Sequence, residues 1–302
     1  MIPPDFDYAV PKTLSEAVAL LGQNPDAKIL AGGHSLIPMM KFRLASPALL
    51  VDINRLEGLA YIREQAGWLK IGALTREADL DHSDLIRKKY PLLADTTRMI
   101  ADPLVRNMAT VGGNLAHADP ANDHPATMLA YGAQVVATGP KGERVIPIET
   151  FFEGPFQTGL AHDELLTEIR IPTPKPNTGG AYFKLERKVG DFATAAVAAQ
   201  VTLDKGGKCE SVGIGLTNVG ATPIKAAKAE ASLKSKKPDD ANIRQAAQLA
   251  SEAAEPTGDQ RGSEAYKRAL VKTLTVRALR KAVERANTNT KVGSVGSTGG
   301  SA

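Results

Sequence analysis

The sequence predicts a protein of mixed helices and strands divided into two domains, and three observations carry that prediction. Short apolar runs of strand character alternate with helix-like segments through the N-terminal part of the chain. A stretch dense in proline and glycine, "PTPKPNTGG" at 172–180, then breaks the pattern and reads as a linker. Beyond it come a hairpin signal and a series of alanine-rich segments of helical period. At 302 residues, 43% hydrophobic and 23% charged, the chain has the size and composition of an ordinary globular protein with room for two cores.

Taken in order, residues 13–23 predict a helix. Thr13 and Glu16 make a capping-box pair, and Leu14, Ala17, Val18 and Leu21 form one apolar stripe. "KIL" (28–30), "ALLVDI" (48–53) and "WLKIGA" (68–73) read as strands. The segment 75–101 reads as mostly helical, broken near Pro91, and "PATMLAYGA" (125–133) as a further helix. "QVVAT" (134–138), "LLTEIRIP" (165–172) and "AYFKLERK" (181–188) are strand candidates, and "KGGK" (205–208) joins two more as a hairpin. Helices are expected over 225–234, 239–254 and 263–286, and the Gly/Ser/Thr-rich end, 287–302, reads as disordered.

Two glycine pairs stand out. "AGGHS" (31–35) follows the apolar segment "KIL", and "TVGGN" (110–114) does much the same later in the chain. Glycine permits a turn with positive φ and a close approach of backbone to a ligand, and successive N–H groups in such a turn converge on an anion. Ser35, Thr110 and Asn114 could add side-chain donors. Two such loops could clasp one pyrophosphate, although a tight turn is the ordinary use of paired glycines. Neither loop is G-x-G-x-x-G or a Walker loop, so a nucleotide site here is not of the Rossmann kind. "GIGLTNVG" (213–220) fits a strand whose glycines allow close packing.

Other chemistry is excluded or weakly signalled. Cys209 is the sole cysteine, which rules out an internal disulfide and an iron–sulfur cluster held by this chain alone. The cysteine count and an N-terminus without a basic start or apolar core lead us to expect a cytoplasmic protein. No apolar run reaches the length of a membrane span. In "HADPANDH", His117, Asp119, Asp123 and His124 lie close in sequence, but Pro120 prevents one helix from aligning them as metal ligands. Asp123 fits either an acceptor for a ligand hydroxyl or a helix N-cap, and His34 a packing residue. No Ser–His–Asp, Cys–His or paired-carboxylate arrangement is legible. The net charge is +4, with basic residues crowded into the C-terminal third. Without a cluster of aromatic stacking residues, that region reads as a solvated helix face rather than a nucleic-acid surface.

At this point the motifs carry a resemblance. "AGGHSLIPMMKFRLA" (31–45), "TVGGNLAHADPANDHPA" (110–126), "YFKLERKVGDFATAAVA" (182–198) and "IGLTNVGATP" (214–223) resemble the FAD-binding subunit of the molybdenum hydroxylases, the xanthine dehydrogenase family. The resemblance covers nearly the whole chain except its C-terminal tail, and is nearest to members of the carbon monoxide dehydrogenase type. It implies an α+β fold: an FAD-binding domain of the vanillyl-alcohol-oxidase type with two lobes over 1–173, then a smaller α+β domain with an antiparallel sheet and helices over 174–286. By motif, Ala31, Gly32, Gly33, His34 and Ser35 would form one pyrophosphate loop, and Thr110, Val111, Gly112, Gly113 and Asn114 the other. Asp123 would lie near the ribose end of FAD. Phe192 would lie against the isoalloxazine ring, where close relatives often carry Tyr; otherwise it is a core aromatic. Lys184 and Arg187 could add charge near the flavin or be solvated strand residues.

The implied role is electron transfer. A large partner subunit would hold a molybdenum–pterin cofactor, a small one two [2Fe–2S] clusters, and the flavin would pass electrons to an external acceptor such as quinone. The resemblance implies a heterotrimer that dimerises, with the basic C-terminal helices facing a partner or a membrane surface. The alternatives are a stand-alone FAD-dependent oxidoreductase, a non-catalytic protein that has lost the cofactor, and a flavin subunit serving another substrate such as xanthine, an aldehyde or nicotinate.

Overall fold

The computed structural model describes the backbone of residues 2–295 and the side chains of residues 2–288. Its first elements follow local chemistry. Strand β1 (Asp7–Ala9) precedes helix α1 (Leu14–Gln23), whose N-cap Thr13 accepts from Glu16 N–H at 3.1 Å. Glu16 returns its carboxylate to Lys12 N–H at 2.7 Å, one residue before the cap. Strands β2 (Ala27–Leu30) and β3 (Leu49–Asp52) flank α2 (Leu36–Lys41), and the parallel sheet β1-β3-β2 results. Ala17, Val18 and Leu21 of α1 bury their stripe with Val51 and Ile53. A fully buried valine, leucine or isoleucine side chain contributes about 1.5–3 kcal/mol.

Strands β4 (Ile62–Gln65) and β5 (Trp68–Gly72) form a hairpin in which Ala66 (φ 52°) and Gly67 (φ 80°) take the left-handed turn. The 75–101 segment breaks into α3 (Glu77–His82), α4 (Asp84–Lys89) and α5 (Pro91–Met99), with Pro91 opening the last of them. Helices α6 (Pro103–Arg106), α7 (Val111–His117) and α8 (Asp123–Tyr131) follow. Then come β6 (Gln134–Gly139), β7 (Gly142–Pro147), the short pair β8 (Phe152–Gly154) and β9 (Gln157–Thr158), and β10 (Leu165–Pro172). The second sheet of this region is antiparallel, in the order β4-β5-β10-β6-β7.

The rest of the chain contributes the antiparallel sheet β11 (Thr178–Leu185), β12 (Ala195–Leu203), β13 (Cys209–Thr217) and β14 (Ile224–Lys225). Helices α9 (Ala227–Leu233), α10 (Asp240–Ala253) and α11 (Glu264–Val295) complete it. The β12–β13 turn is the expected hairpin. Gly207 takes φ 73°, and Asp204 Oδ1 accepts from Gly206 and Lys208 N–H at 2.8 and 2.9 Å. Val197, Val201 and Leu216 share a core with Ala246 and Ala250 of α10 and with Leu274, Ala278 and Leu279 of α11.

The chain forms two compact units, and their division differs from a single cut near residue 173. The first unit holds residues up to Leu80, Ala101–Asp119 and Ala133–Pro172, and so both the parallel and the five-stranded sheet. The second holds Asp81–Ile100, Pro120–Gly132 and everything from Thr173 onward. Helices α5 and α8 join the later sheet because its glycines admit them. A Cβ on Gly180 would lie 2.8 Å from Leu92 Cβ, and Cβ atoms on Gly213 and Gly215 would overlap the carbonyls of Ala130 and Ala126. For the same reason 172–180 is not all linker. Thr178–Gly180 opens β11, where a Cβ on Gly179 would overlap the backbone of α11 at Ala282 and Ala286. Helix α11 runs on through Val295, so 287–295 is helical; the remainder of the expected disordered tail lies outside the described residues. Among the described residues no helix is long and apolar enough to cross a membrane.

Candidate functional site

The first glycine loop leaves the end of β2, where Leu30 gives way to Ala31, Gly32, Gly33, His34 and Ser35 before α2 begins. Gly33 takes φ 75°. Behind the turn, Ile37 N–H donates to Gly33 O at 3.0 Å and Met39 N–H to Ser35 O at 3.1 Å. Among the described residues, none accepts from the backbone N–H of Gly32, Gly33, His34, Ser35 or Leu36. Ser35 makes no side-chain capping bond, and His34 is exposed rather than packed. A run of free N–H groups at a strand end is a concavity suited to an anion.

The second loop is built differently. It follows the turn after α6 rather than a strand, and Thr110 N-caps α7 by accepting from Gly113 N–H at 3.2 Å. Val111 N–H donates to Thr75 O and Gly112 N–H to Ala73 O, both at 3.0 Å, and Asn114 N–H donates to Thr110 O at 2.9 Å. The expectation of a second free N–H cradle is therefore corrected: these donors are engaged by the protein itself. Thr110, Val111 and Gly112 are buried, while Gly113 and Asn114 are half-buried.

The two loops nevertheless come together within the first unit. A Cβ on Gly32 would overlap Met108 O and lie 2.7 Å from Ala109 Cα, on the segment that feeds Thr110. A Cβ on Gly112 would lie 2.5 Å from Ala73 Cβ and 2.7 Å from Ala73 O. Both glycines thus serve backbone-to-backbone packing. Two residues that sequence reasoning missed tie the arrangement. Asn54 Nδ2 donates to Ala31 O at 2.7 Å, and Arg76 Nη2 donates to Asn54 Oδ1 at 2.8 Å while Nη1 donates to Met108 O. Polar residues just past β3 and β5 carry no local signal beyond that of a strand end.

Asp123 and Phe192 belong to the second unit. Asp123 is the first residue of α8, whose N-cap is Asn122, so the capping reading does not hold. Its carboxylate is buried and accepts from Tyr182 Oη at 2.5 Å and from Lys184 Nζ at 3.0 Å. Burial pushes the Asp123 carboxyl up, against the opposing pull of Lys184 and Tyr182. Lys184 also donates to Met99 O at 2.9 Å and faces Glu186 at 3.3 Å; it is no solvated strand residue. Arg187 is 56% exposed and does face solvent.

Phe192 is 49% exposed, which overturns the core-aromatic alternative. It sits on the loop between β11 and β12, next to a bracketed carboxylate. Asp191 accepts from Arg187 Nε at 2.9 Å, Arg261 Nη2 at 3.1 Å and Phe192 N–H at 2.8 Å. The Arg187 bond, joined by the others, holds the Asp191 carboxyl below its usual range.

The remaining candidates carry no chemistry of their own. Among the described residues, no three His, Cys, Asp or Glu side chains gather as a metal site. The His117 ring lies 5.1 Å from Phe156, tilted. Cys209 is buried and its thiol is pushed up to about 11, chiefly by desolvation, which makes it a poor nucleophile.

Comparison with known proteins divides the chain once, between residues 174 and 180. Residues 4–174 match the family described as the FAD binding domain in molybdopterin dehydrogenase, and residues 180–282 the CO dehydrogenase flavoprotein C-terminal domain. The chain is 46% identical to the carbon monoxide dehydrogenase medium chain of Hydrogenophaga pseudoflava, over 94% of this chain and 99% of that one. It is 44% identical to the corresponding medium chain of Afipia carboxidovorans, over 96% of this chain and 100% of that one. A solved structure of carbon monoxide dehydrogenase from Hydrogenophaga pseudoflava superposes with a TM-score of 0.92 at 47% identity, covering 94% of this chain and 99% of that one.

Proposed function

We propose that this chain, which belongs to the FAD-binding family of the molybdopterin dehydrogenases, is the flavin-carrying electron-transfer subunit of an aerobic carbon monoxide dehydrogenase. The observation that carries the reading is the run of N–H groups from Gly32 to Leu36, free among the described residues, at the end of β2 within the matched FAD-binding domain. That run suits the doubly charged pyrophosphate of FAD.

The roles of the chain's own residues follow. Gly32, Gly33, His34 and Ser35 hold the pyrophosphate through backbone N–H groups and the Ser35 hydroxyl, with Ala31 leading into the run. Gly113 and Asn114 are the members of the second loop that reach toward the cofactor, with Thr110, Val111 and Gly112 supporting from buried positions. Asp123 serves the ribose end of FAD by way of its set hydrogen bonds to Tyr182 and Lys184. Phe192 offers its exposed face to the isoalloxazine ring; lacking a hydroxyl, it contributes stacking only. When bound, FAD supplies the conversion between one-electron and two-electron transfer that links iron–sulfur clusters to an acceptor such as quinone. No acid–base triad is required of this chain.

The partners in this reading are a large molybdenum–pterin subunit and a small subunit with two [2Fe–2S] clusters, in a dimer of heterotrimers in the cytoplasm or at the inner face of the membrane. The lone, buried Cys209 supports placing the clusters elsewhere. The test is native purification with identification of the co-eluting subunits, a flavin spectrum, and carbon-monoxide-dependent reduction of a quinone analogue. A flavin-containing complex that oxidises carbon monoxide is expected. A colourless protein without partners, or a complex inert to carbon monoxide, would overturn the respective part of the reading.

A further inference from the structure

The backbone N–H groups of a nest bind an anion only if the peptide planes that carry them are turned the right way. In a planar trans peptide the C=O of one residue and the N–H of the next point in opposite directions. The Ala31–Gly32 peptide therefore aims the Gly32 N–H away from whatever holds the Ala31 carbonyl. That holder is Asn54, whose Nδ2 donates to Ala31 O at 2.7 Å.

The Asn54 amide is itself set by its neighbours. Arg76 has donors only, so it must face the amide oxygen, and its Nη2 lies 2.8 Å from Asn54 Oδ1. The Asn54 amide nitrogen is left to reach both Ala31 O and Asp52 Oδ1, the latter at 2.7 Å. Asp52 Oδ1 also accepts from Asn54 N–H at 2.9 Å, and its other oxygen accepts from Tyr8 Oη. The same guanidinium donates through Nη1 to Met108 O, the carbonyl against which Gly32 packs. One cation thus fixes both walls: the first loop through Asn54, and the approach to the second loop directly. The Arg76 N–H, bonded to Asp79 Oδ2 at 3.1 Å, anchors the arginine's own backbone at the start of α3.

We propose that Asn54 and Arg76 are positioning residues for FAD: they turn the first loop's N–H groups toward the pyrophosphate and hold the two loops at their working separation. The inference rests on the reading of this chain as an FAD subunit. Asn54→Asp removes the donor to Ala31 O and places a carboxylate where Arg76 expects an amide oxygen. Arg76→Ala removes both tethers, whereas Arg76→Lys keeps a charge and several donors without the fork that spans two acceptors.

The test uses the assembled complex, stripped of flavin and retitrated with FAD by fluorescence, alongside thermal unfolding of the flavin-free complex. Wild type is expected to rebind FAD stoichiometrically. Asn54→Asp and Arg76→Ala are expected to bind FAD at least tenfold more weakly, with Arg76→Lys between Arg76→Ala and wild type, at little change in the flavin-free unfolding temperature. Failure of the wild-type complex to bind FAD would sink the parent reading. Wild-type binding with equal affinity in Asn54→Asp and Arg76→Lys would overturn the inference, as would weakened binding that tracked a matching loss of flavin-free stability in every variant.

Discussion

Asp123 and Lys184 form an ion pair at 3.0 Å whose side chains are 8% and 1% exposed, at the start of α8 and within β11 respectively. The pair joins a segment that lies early in the chain to the later sheet. Removing one partner leaves the other charged and buried, which costs about 3–5 kcal/mol, whereas exchanging both for uncharged residues is far milder. Lys184→Met is accordingly expected to destabilise the chain by about that amount in urea unfolding. The double change Asp123→Asn with Lys184→Met is expected to recover part of the loss, since Glu186 and Met99 O still lose the ammonium, and equal losses in both would refute the coupling.

Gly32→Ala tests the packing of the first loop. The new methyl would overlap Met108 O and crowd Ala109 Cα, neither of which is the flexible end of a side chain. The loops must separate, so flavin content, read by absorbance at saturating FAD, is expected to fall severalfold. Gly206→Ala, in the hairpin turn of the other unit, should leave it unchanged; its methyl meets only Asp204 Oδ1, at 3.3 Å.

Phe192 is expected to separate stability from flavin environment. A side chain half exposed to solvent contributes little to folding, so Phe192→Ala should shift the unfolding free energy of the flavin-free protein by less than about 1 kcal/mol. The absorbance of bound flavin should change. A large stability loss with an unaltered spectrum would return Phe192 to a packing role.

His117 predicts a pH dependence. Burial, only partly countered by Asp119, holds the imidazole below its ordinary value of about 6.5. The unfolded chain then binds the proton more readily than the folded one, so this residue's contribution is complete above about 6.5 and lost as pH falls toward the depressed folded value. Wild type should lose more stability between pH 7.5 and 5.5 than His117→Gln, compared by urea unfolding.

Elements built on local chemistry are legible in the amino acids alone. Thr13 with Glu16 announces α1, Pro91 the opening of α5, and the glycines of 205–208 the β12–β13 hairpin, because caps, prolines and turns act on residues within a few positions. Short strands such as β1, β8 and β9 are not legible, since a run of two or three residues has no period. The glycines at 179 and 180 mislead for a related reason: a glycine that loosens a linker and one that admits a helix look alike until the helix is in place.

The order of residues supplies the inventory: two glycine loops, a family likeness over nearly the whole chain, and one cysteine, too few for a cluster. Folding in three dimensions assigns each loop its work. Among the described residues Gly32 through Leu36 keep their N–H groups free, while Val111 and Gly112 donate to Thr75 and Ala73. That difference arises from acceptors dozens of positions away in the chain, brought near by the fold. A loop's own residues show which donors it has, and only its distant neighbours determine which remain for a ligand.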